Sequence, residues 1–261
     1  MKHTWQITLI LIGLFIVSQI VGLFVVDSYL DKPDLPLGIE RPDIEENISY
    51  IPVLIAILFA TGIALLLIKF NAVKIWKIWF FIGVVVTLTI TFGSFIPEVI
   101  ALILGLGFAF FKIFKTNVIV HNFTEIFIYP GIAAIFVPIF NLMSIFILLV
   151  VISIYDIIAV WKTKHMVKMA EFQSETKIFA GLLIPYKKTR AVLGGGDIGF
   201  PLMFAGVVMK TSNMLNGVIV SLFAALALFI LFYMAKKEKF YPAMPFVTAG
   251  CVVGYLITLL L

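Results

Sequence analysis

The 261-residue sequence is short of charge, cysteine and histidine, and each shortage closes off a class of function. Charged residues make up 13% of the chain, against about 25% in soluble domains. With 62% hydrophobic residues and a mean hydropathy of +1.16, no water-soluble fold of this size could hide the apolar surface. The bilayer has to be the solvent for most of it. The single cysteine, Cys251, excludes an intrachain disulfide framework and any CxxC metal or redox site. His3, His121 and His165 are scattered, without the HExxH spacing of a zinc protease. Serine and histidine form no recognisable nucleophilic set either, and neither a metal nor a cofactor is expected. The formal charge of +5 does not point to nucleic acid, because the basic residues sit in short clusters between apolar runs. The 26 phenylalanines suit lipid-facing and helix-packing surfaces.

What is present is a series of long apolar segments. A helix crossing the hydrocarbon core needs about 20 mainly apolar residues. Nine segments qualify: 5–26, 51–69, 78–96, 98–114, 124–140, 142–161, 191–210, 214–235 and 242–261. The fifth and sixth are divided only by Asn141 near Pro138, so a count of eight is the alternative. The first segment exceeds the roughly 7–15 residues of a signal-peptide core and lacks a small-residue cleavage pattern, so it is expected to be retained. The sequence therefore predicts an all-α polytopic membrane protein with a single membrane domain.

Nine spans give a clean charge asymmetry. One side receives 16 of the 19 Lys and Arg residues, and the other only Lys32, Arg41 and Lys210. The positive-inside rule puts the N-terminus in the cytoplasm and the C-terminus outside. The acidic loop 27–49 then lies outside and the basic loop 162–190 inside. Between Lys162 and Phe172, an interfacial amphipathic helix and a plain basic loop are equally compatible with the pattern.

Of the 14 acidic residues, 12 fall in loops or near span ends. The exceptions are Asp156, near the cytoplasmic end of the sixth span, and Asp197, several residues into the seventh. A carboxylate at a helix centre costs about 2.5–3.5 kcal/mol on insertion scales, and such residues usually face the bundle interior. Two carboxyls meeting there would share a proton. One can then activate water while the other polarises a carbonyl, as peptide hydrolysis without a covalent intermediate requires. Proton relays, ion sites and interhelical hydrogen bonds use isolated membrane aspartates too.

The flanking residues narrow the choice. Tyr155 precedes Asp156, and Gly194-Gly195-Gly196 precedes Asp197. Three glycines in succession disfavour a regular helix and let another backbone approach. Pro242-Ala243-Met244 opens the ninth span, with the proline freeing backbone groups. The ordered set of Tyr-Asp, GxGD and Pro-Ala-x in the sixth, seventh and ninth spans resembles the presenilin and signal peptide peptidase family of intramembrane aspartyl proteases. The likeness is to a compact microbial presenilin homologue. It implies that Asp156 and Asp197 are the catalytic pair, that Gly194 and Gly196 occupy the fixed glycine positions, and that Pro242, Ala243 and Met244 align with a Pro-Ala-Leu motif shaping the site. Gly195 and Met244 both stand where the family usually has Leu. Met is a near-volume match, whereas Gly195 removes a side chain beside the site. The N-in, C-out orientation matches the presenilin branch.

A substrate helix must unwind to be cut, and its freed backbone then needs partners in the membrane. Addition to a strand edge would supply them. Thr189–Leu193 has some strand character, and the resemblance implies substrate pairing near it; a simple helix entry is the alternative there. The expected substrates are transmembrane-helix proteins in the lipid bilayer of a microbial cell, cut toward the cytoplasmic side without obligate partner subunits. A prepilin-type leader peptidase, a proton- or cation-coupled transporter and an inactive helix-binding scaffold are the competing possibilities.

Overall fold

The structure, a computed structural model, describes residues 4–32, 34–115, 117–163, 166, 169, 172–173, 179–186, 189–235 and 241–261. Nine α-helices are described over their whole extent: α1 Trp5–Leu30, α2 Tyr50–Lys69, α3 Val73–Gly93, α4 Glu98–Phe114, α5 Val118–Phe136, α6 Leu142–Ile157, α7 Gly196–Thr211, α8 Met214–Met234 and α9 Met244–Thr258. Among the described residues six helices are long and apolar enough to cross a membrane: α1, α2, α3, α5 with its continuation to Ile139, α6 with its continuation to Lys162, and α8. At 17, 16 and 15 residues, α4, α7 and α9 reach only about 23–26 Å at 1.5 Å per residue. Large side chains on the outer surface, such as Ile55, Leu58 and Phe59 of α2, are more than half exposed. Such a surface is at home only in lipid, and the chain is an integral membrane protein.

The division between α5 and α6 is made by local chemistry. A single 3-10 turn, Val137–Ile139, ends the first helix. Asn141 then caps the second: its side chain accepts from the Ser144 N–H at 2.8 Å while Ser144 Oγ accepts from the Asn141 N–H at 3.1 Å. This reciprocal box satisfies two of the N–H groups that every helix start leaves open. The count of nine helices therefore fits, and the merged alternative does not.

Successive helices run up and down, so their connections gather at two ends. At one end Lys210 reaches Glu46 at 2.9 Å and the Pro138 carbonyl at 2.9 Å. There too Arg41 binds the Tyr29 carbonyl at 2.8 Å, and Glu98 accepts the Leu37 N–H at 3.0 Å. The three cations assigned by charge counting to one side include both of these basic residues. At the opposite end lie the turns after α2 and α4, the end of α6, and a feature the all-α expectation omits. Gly181–Tyr186 (β1) and Thr189–Gly194 (β2) form an antiparallel hairpin, with Gly181 opposite Gly194 and Leu183 opposite Val192. The seventh segment thus begins as a strand, and its helix starts only at Gly196. The fifth begins earlier than expected, at Val118, and the ninth later, at Met244. Most of 162–172 lies outside the described residues, although Met166, Met169 and Phe172 are helical.

At the centre stands α7, buried on all sides from Pro201 to Met209 and packed against α1, α5, α6, α8 and α9. Small residues set the spacing. A Cβ on Gly131 of α5 would come within 2.1 Å of the Thr87 carbonyl oxygen on α3. That neighbour is backbone and cannot step aside. Gly131→Leu is expected to lower stability by at least the roughly 1–3 kcal/mol typical of overpacking, read as a fall in the thermal midpoint in detergent, with loss of folded protein as the extreme outcome.

Candidate active site at the α6–α7–α9 junction

Asp156 sits in the last turn of α6, 6% exposed. Its carboxyl is received by the start of α9. The Met244 N–H donates to Asp156 Oδ2 at 3.1 Å, and the Ala243 amide faces the same group. Those amides are available because the first N–H groups of a helix have no partner within it, and an anion is welcome at that end. Pro242 and Ala243, both buried, stand just ahead of the helix. One turn back on each helix, the Ser153 and Thr248 hydroxyls bond at 2.8 Å. Two rungs thus clasp α6 to α9.

Asp197, half-buried, occupies the first turn of α7. It lies within electrostatic reach of Asp156, and the Gly194 amide faces its carboxyl. A Cβ on Gly194 would lie 3.2 Å from Asp197 Oδ2. From behind, α1 steadies this turn: Gln19 Nε2 donates to the Ile198 carbonyl at 2.9 Å. Pro201, without an N–H, leaves the Asp197 carbonyl without its usual helical donor.

The remaining predicted residues divide. Leu193 is buried in β2 opposite Leu182. Tyr155 is half-buried and points roughly 100° around α6 from Asp156, as adjacent helical residues must. Gly194 ends β2 and the helix starts only at Gly196, none of the three glycines having positive φ. At Gly195 the demand is for space. A Cβ on Gly195 would meet Tyr129 Oη at 2.6 Å, whereas one on Gly196 would make ordinary contact with Phe200 at 3.4 Å. The room a larger residue would need at position 195 is taken by the Tyr129 ring.

Behind Tyr129 lies a cluster the sequence reading missed. Lys112 and Glu125, assigned there to a loop and a span end, are buried at 3% and 1% exposure and form an ion pair. The Tyr129 hydroxyl donates to the other Glu125 oxygen, Oε2, which also accepts the Gly181 N–H at 2.8 Å. Lys112 Nζ lies 3.2 Å from His121 Nδ1, and His121 Nε2 lies 2.8 Å from the Gly181 carbonyl oxygen. Because an ammonium only donates, Nδ1 must accept, so Nε2 carries the proton and donates to Gly181. Gly181 itself needs to be glycine: its φ is +137°, and a Cβ would fall 2.1 Å from the Leu193 carbonyl oxygen. The signal available in sequence was His121, Glu125 and Tyr129 at i, i+4 and i+8, one helical face. Among the described residues no cluster of three or more His, Cys, Asp or Glu could hold a metal.

An apolar bundle with two acids within electrostatic reach of each other inside it, one of them bound by a backbone amide, defines a polytopic membrane protein with an intramembrane polar site. The family profile described as "Signal-peptide peptidase, presenilin aspartyl protease" matches residues 12–261, and the chain belongs to that family. One solved structure, of a presenilin family intramembrane aspartate protease, superposes with a TM-score of 0.71 at 17% identity, over 97% of this chain and 99% of the other. A second, described in the same words in another space group, gives 0.67 at 16% identity, over 96% of each chain. At these identities the likeness establishes the fold. No curated protein matches the chain significantly.

Gly195→Leu is expected to lower stability by about 1–3 kcal/mol through overpacking. The loss should be non-additive with Tyr129→Ala, because the two positions share the space. Thermal unfolding of the two single variants and the double variant measures that coupling.

Proposed function

We propose that the chain is a GxGD-type intramembrane aspartyl protease, in which Asp156 and Asp197 activate water to hydrolyse peptide bonds in or near transmembrane helices. The observation that carries this reading is the approach of two carboxyls on packed helices, one of them bound by the Met244 amide. In the reaction, one carboxylate takes a proton from water as the oxygen attacks the scissile carbonyl carbon. The other carboxyl, protonated, donates to the carbonyl oxygen. Collapse of the resulting gem-diol breaks the C–N bond: the proton taken from water passes to the leaving nitrogen, and one hydroxyl returns its proton to the carboxylate that had donated it. No covalent enzyme intermediate forms, and no metal or cofactor takes part.

The substrate is a transmembrane helix that unwinds at the cut, and its exposed backbone adds to the outer edge of β2. Val192, 43% exposed, lies two residues before Gly194, which stands against the Asp197 carboxyl. A strand laid along that edge therefore runs to the carboxyls within about 7 Å at 3.3 Å per residue. Tyr155 and Leu193 shape the walls, together with Pro242, Ala243 and Met244. Nine spans, an N-terminus in the cytoplasm and the aspartates toward that face follow from the basic residues at the hairpin end. The enzyme works without partner subunits in a microbial membrane.

Purified protein in detergent should cut a transmembrane peptide, and Asp156→Ala or Asp197→Ala should each abolish cleavage; full activity in either would sink the assignment. The rate should be bell-shaped in pH, with two apparent pKa values belonging to the pair. A single sigmoidal profile would contradict a shared-proton dyad.

A further inference from the structure

The hairpin has two edges, and helix α5 has taken one of them. Asn122 Nδ2 donates to the Leu183 carbonyl at 2.7 Å, and Asn122 Oδ1 accepts the Leu183 N–H at 2.8 Å. Two residues earlier on β1, the Gly181 N–H goes to Glu125 and its carbonyl faces His121, both at 2.8 Å. Every outward backbone group at these two positions is therefore bonded by a side chain from the first two turns of α5. Alternate residues of an antiparallel strand face its partner. With Gly181 and Leu183 turned to α5, Leu182 and Ile184 face β2, where they pair with Leu193 and Ala191. Val192, opposite Leu183, accordingly turns its backbone groups away from β1.

We infer that His121, Asn122 and Glu125 are positioning residues: a side-chain substitute for a third strand, which holds the hairpin ready before substrate arrives and leaves β2 as its receiving edge. The inference rests on the proposed addition of substrate to a strand edge. The primary amide of Asn122 presents one donor and one acceptor, as a residue of a neighbouring strand would. Glu125 belongs to a buried ion pair, an arrangement seldom retained for stability alone. Here one of its oxygens fixes the root of the hairpin at Gly181, and the Tyr129 hydroxyl bonded to that oxygen stands against Gly195. One cluster thus sets both the start of β1 and the approach to Asp197. Pro185, opposite Arg190 at the next outward position of β1, has no N–H to be capped.

The test uses the full-length protein in detergent. Val192→Cys should form a disulfide with a cysteine-bearing transmembrane peptide in an Asp197→Asn background; failure to cross-link at any peptide position overturns the strand-edge reading itself. With that cross-link in hand, Asn122→Ala should raise KM about tenfold, as expected for two lost hydrogen bonds, with kcat within about twofold and additional cleavage positions. Asn122→Asp keeps the acceptor, loses the donor and should fall between. Substrate-free amide exchange at Leu182 and Ile184 should be slow in the parent and fast in Asn122→Ala. An unchanged KM, product pattern and exchange rate would overturn the capping role, as would a fall in kcat alone. If Asn122→Ala does not fold, Asn122→Asp carries the same comparisons.

Discussion

The bond from the Met244 amide to the Asp156 carboxyl is the contact on which the site depends. In lipid, an unsatisfied polar group costs several kcal/mol, so a carboxyl in a bundle this apolar must find donors within the protein. The opening of α9 provides them, and Pro242 and Ala243 lie buried just before it. The consequence is architectural. The C-terminal end of α6 is tied to the N-terminal end of α9, the Ser153–Thr248 pair repeats the tie one turn away, and α7 packs against both helices. The carboxyls of Asp156 and Asp197 stand within electrostatic reach of each other because the helices carrying them have little freedom to stand elsewhere.

The same rule organises the rest of the polar interior. Lys112, Glu125, Tyr129 and His121 satisfy one another and then extend to the backbone of Gly181. At the opposite end, Arg41 and Lys210 are used on carbonyls that helix ends leave open. The Lys112–Glu125 cluster is thus joined to the hairpin, and Arg41 and Lys210 to the helix ends. The apolar surface outside them follows from the solvent.

The aspartates were legible in the sequence because they interrupt long apolar runs, and the proline–alanine–methionine element because its position relative to them is distinctive. Helix number was legible as well, with Asn141 deciding the doubtful boundary through its cap. Lys112 and Glu125 were hidden by their positions: each falls where a hydropathy window places a span end, and a charge there raises no alarm. Their pairing joins α4 to α5, which periodicity within one segment does not reveal. The glycine run was read as admitting another backbone, whereas at Gly195 the neighbour is the Tyr129 side chain of another helix. Half of the hairpin was visible in Thr189–Leu193. Gly181–Tyr186 was not, since it lies in a basic loop and its strand character depends on the donors and acceptors of α5.

As the proposed catalytic pair, Asp156 and Asp197 together recognise the tetrahedral form of a hydrated peptide bond. The most direct test of that recognition is the binding of a transmembrane peptide carrying a secondary hydroxyl in place of the scissile carbonyl. Such a mimic binds a hydrolase about 10²-fold or more tighter than its substrate. That gain is expected in the parent protein and should be lost in both Asp156→Asn and Asp197→Asn, with affinity for an uncut parent peptide little changed. Equal affinity for the mimic in all three proteins would contradict it.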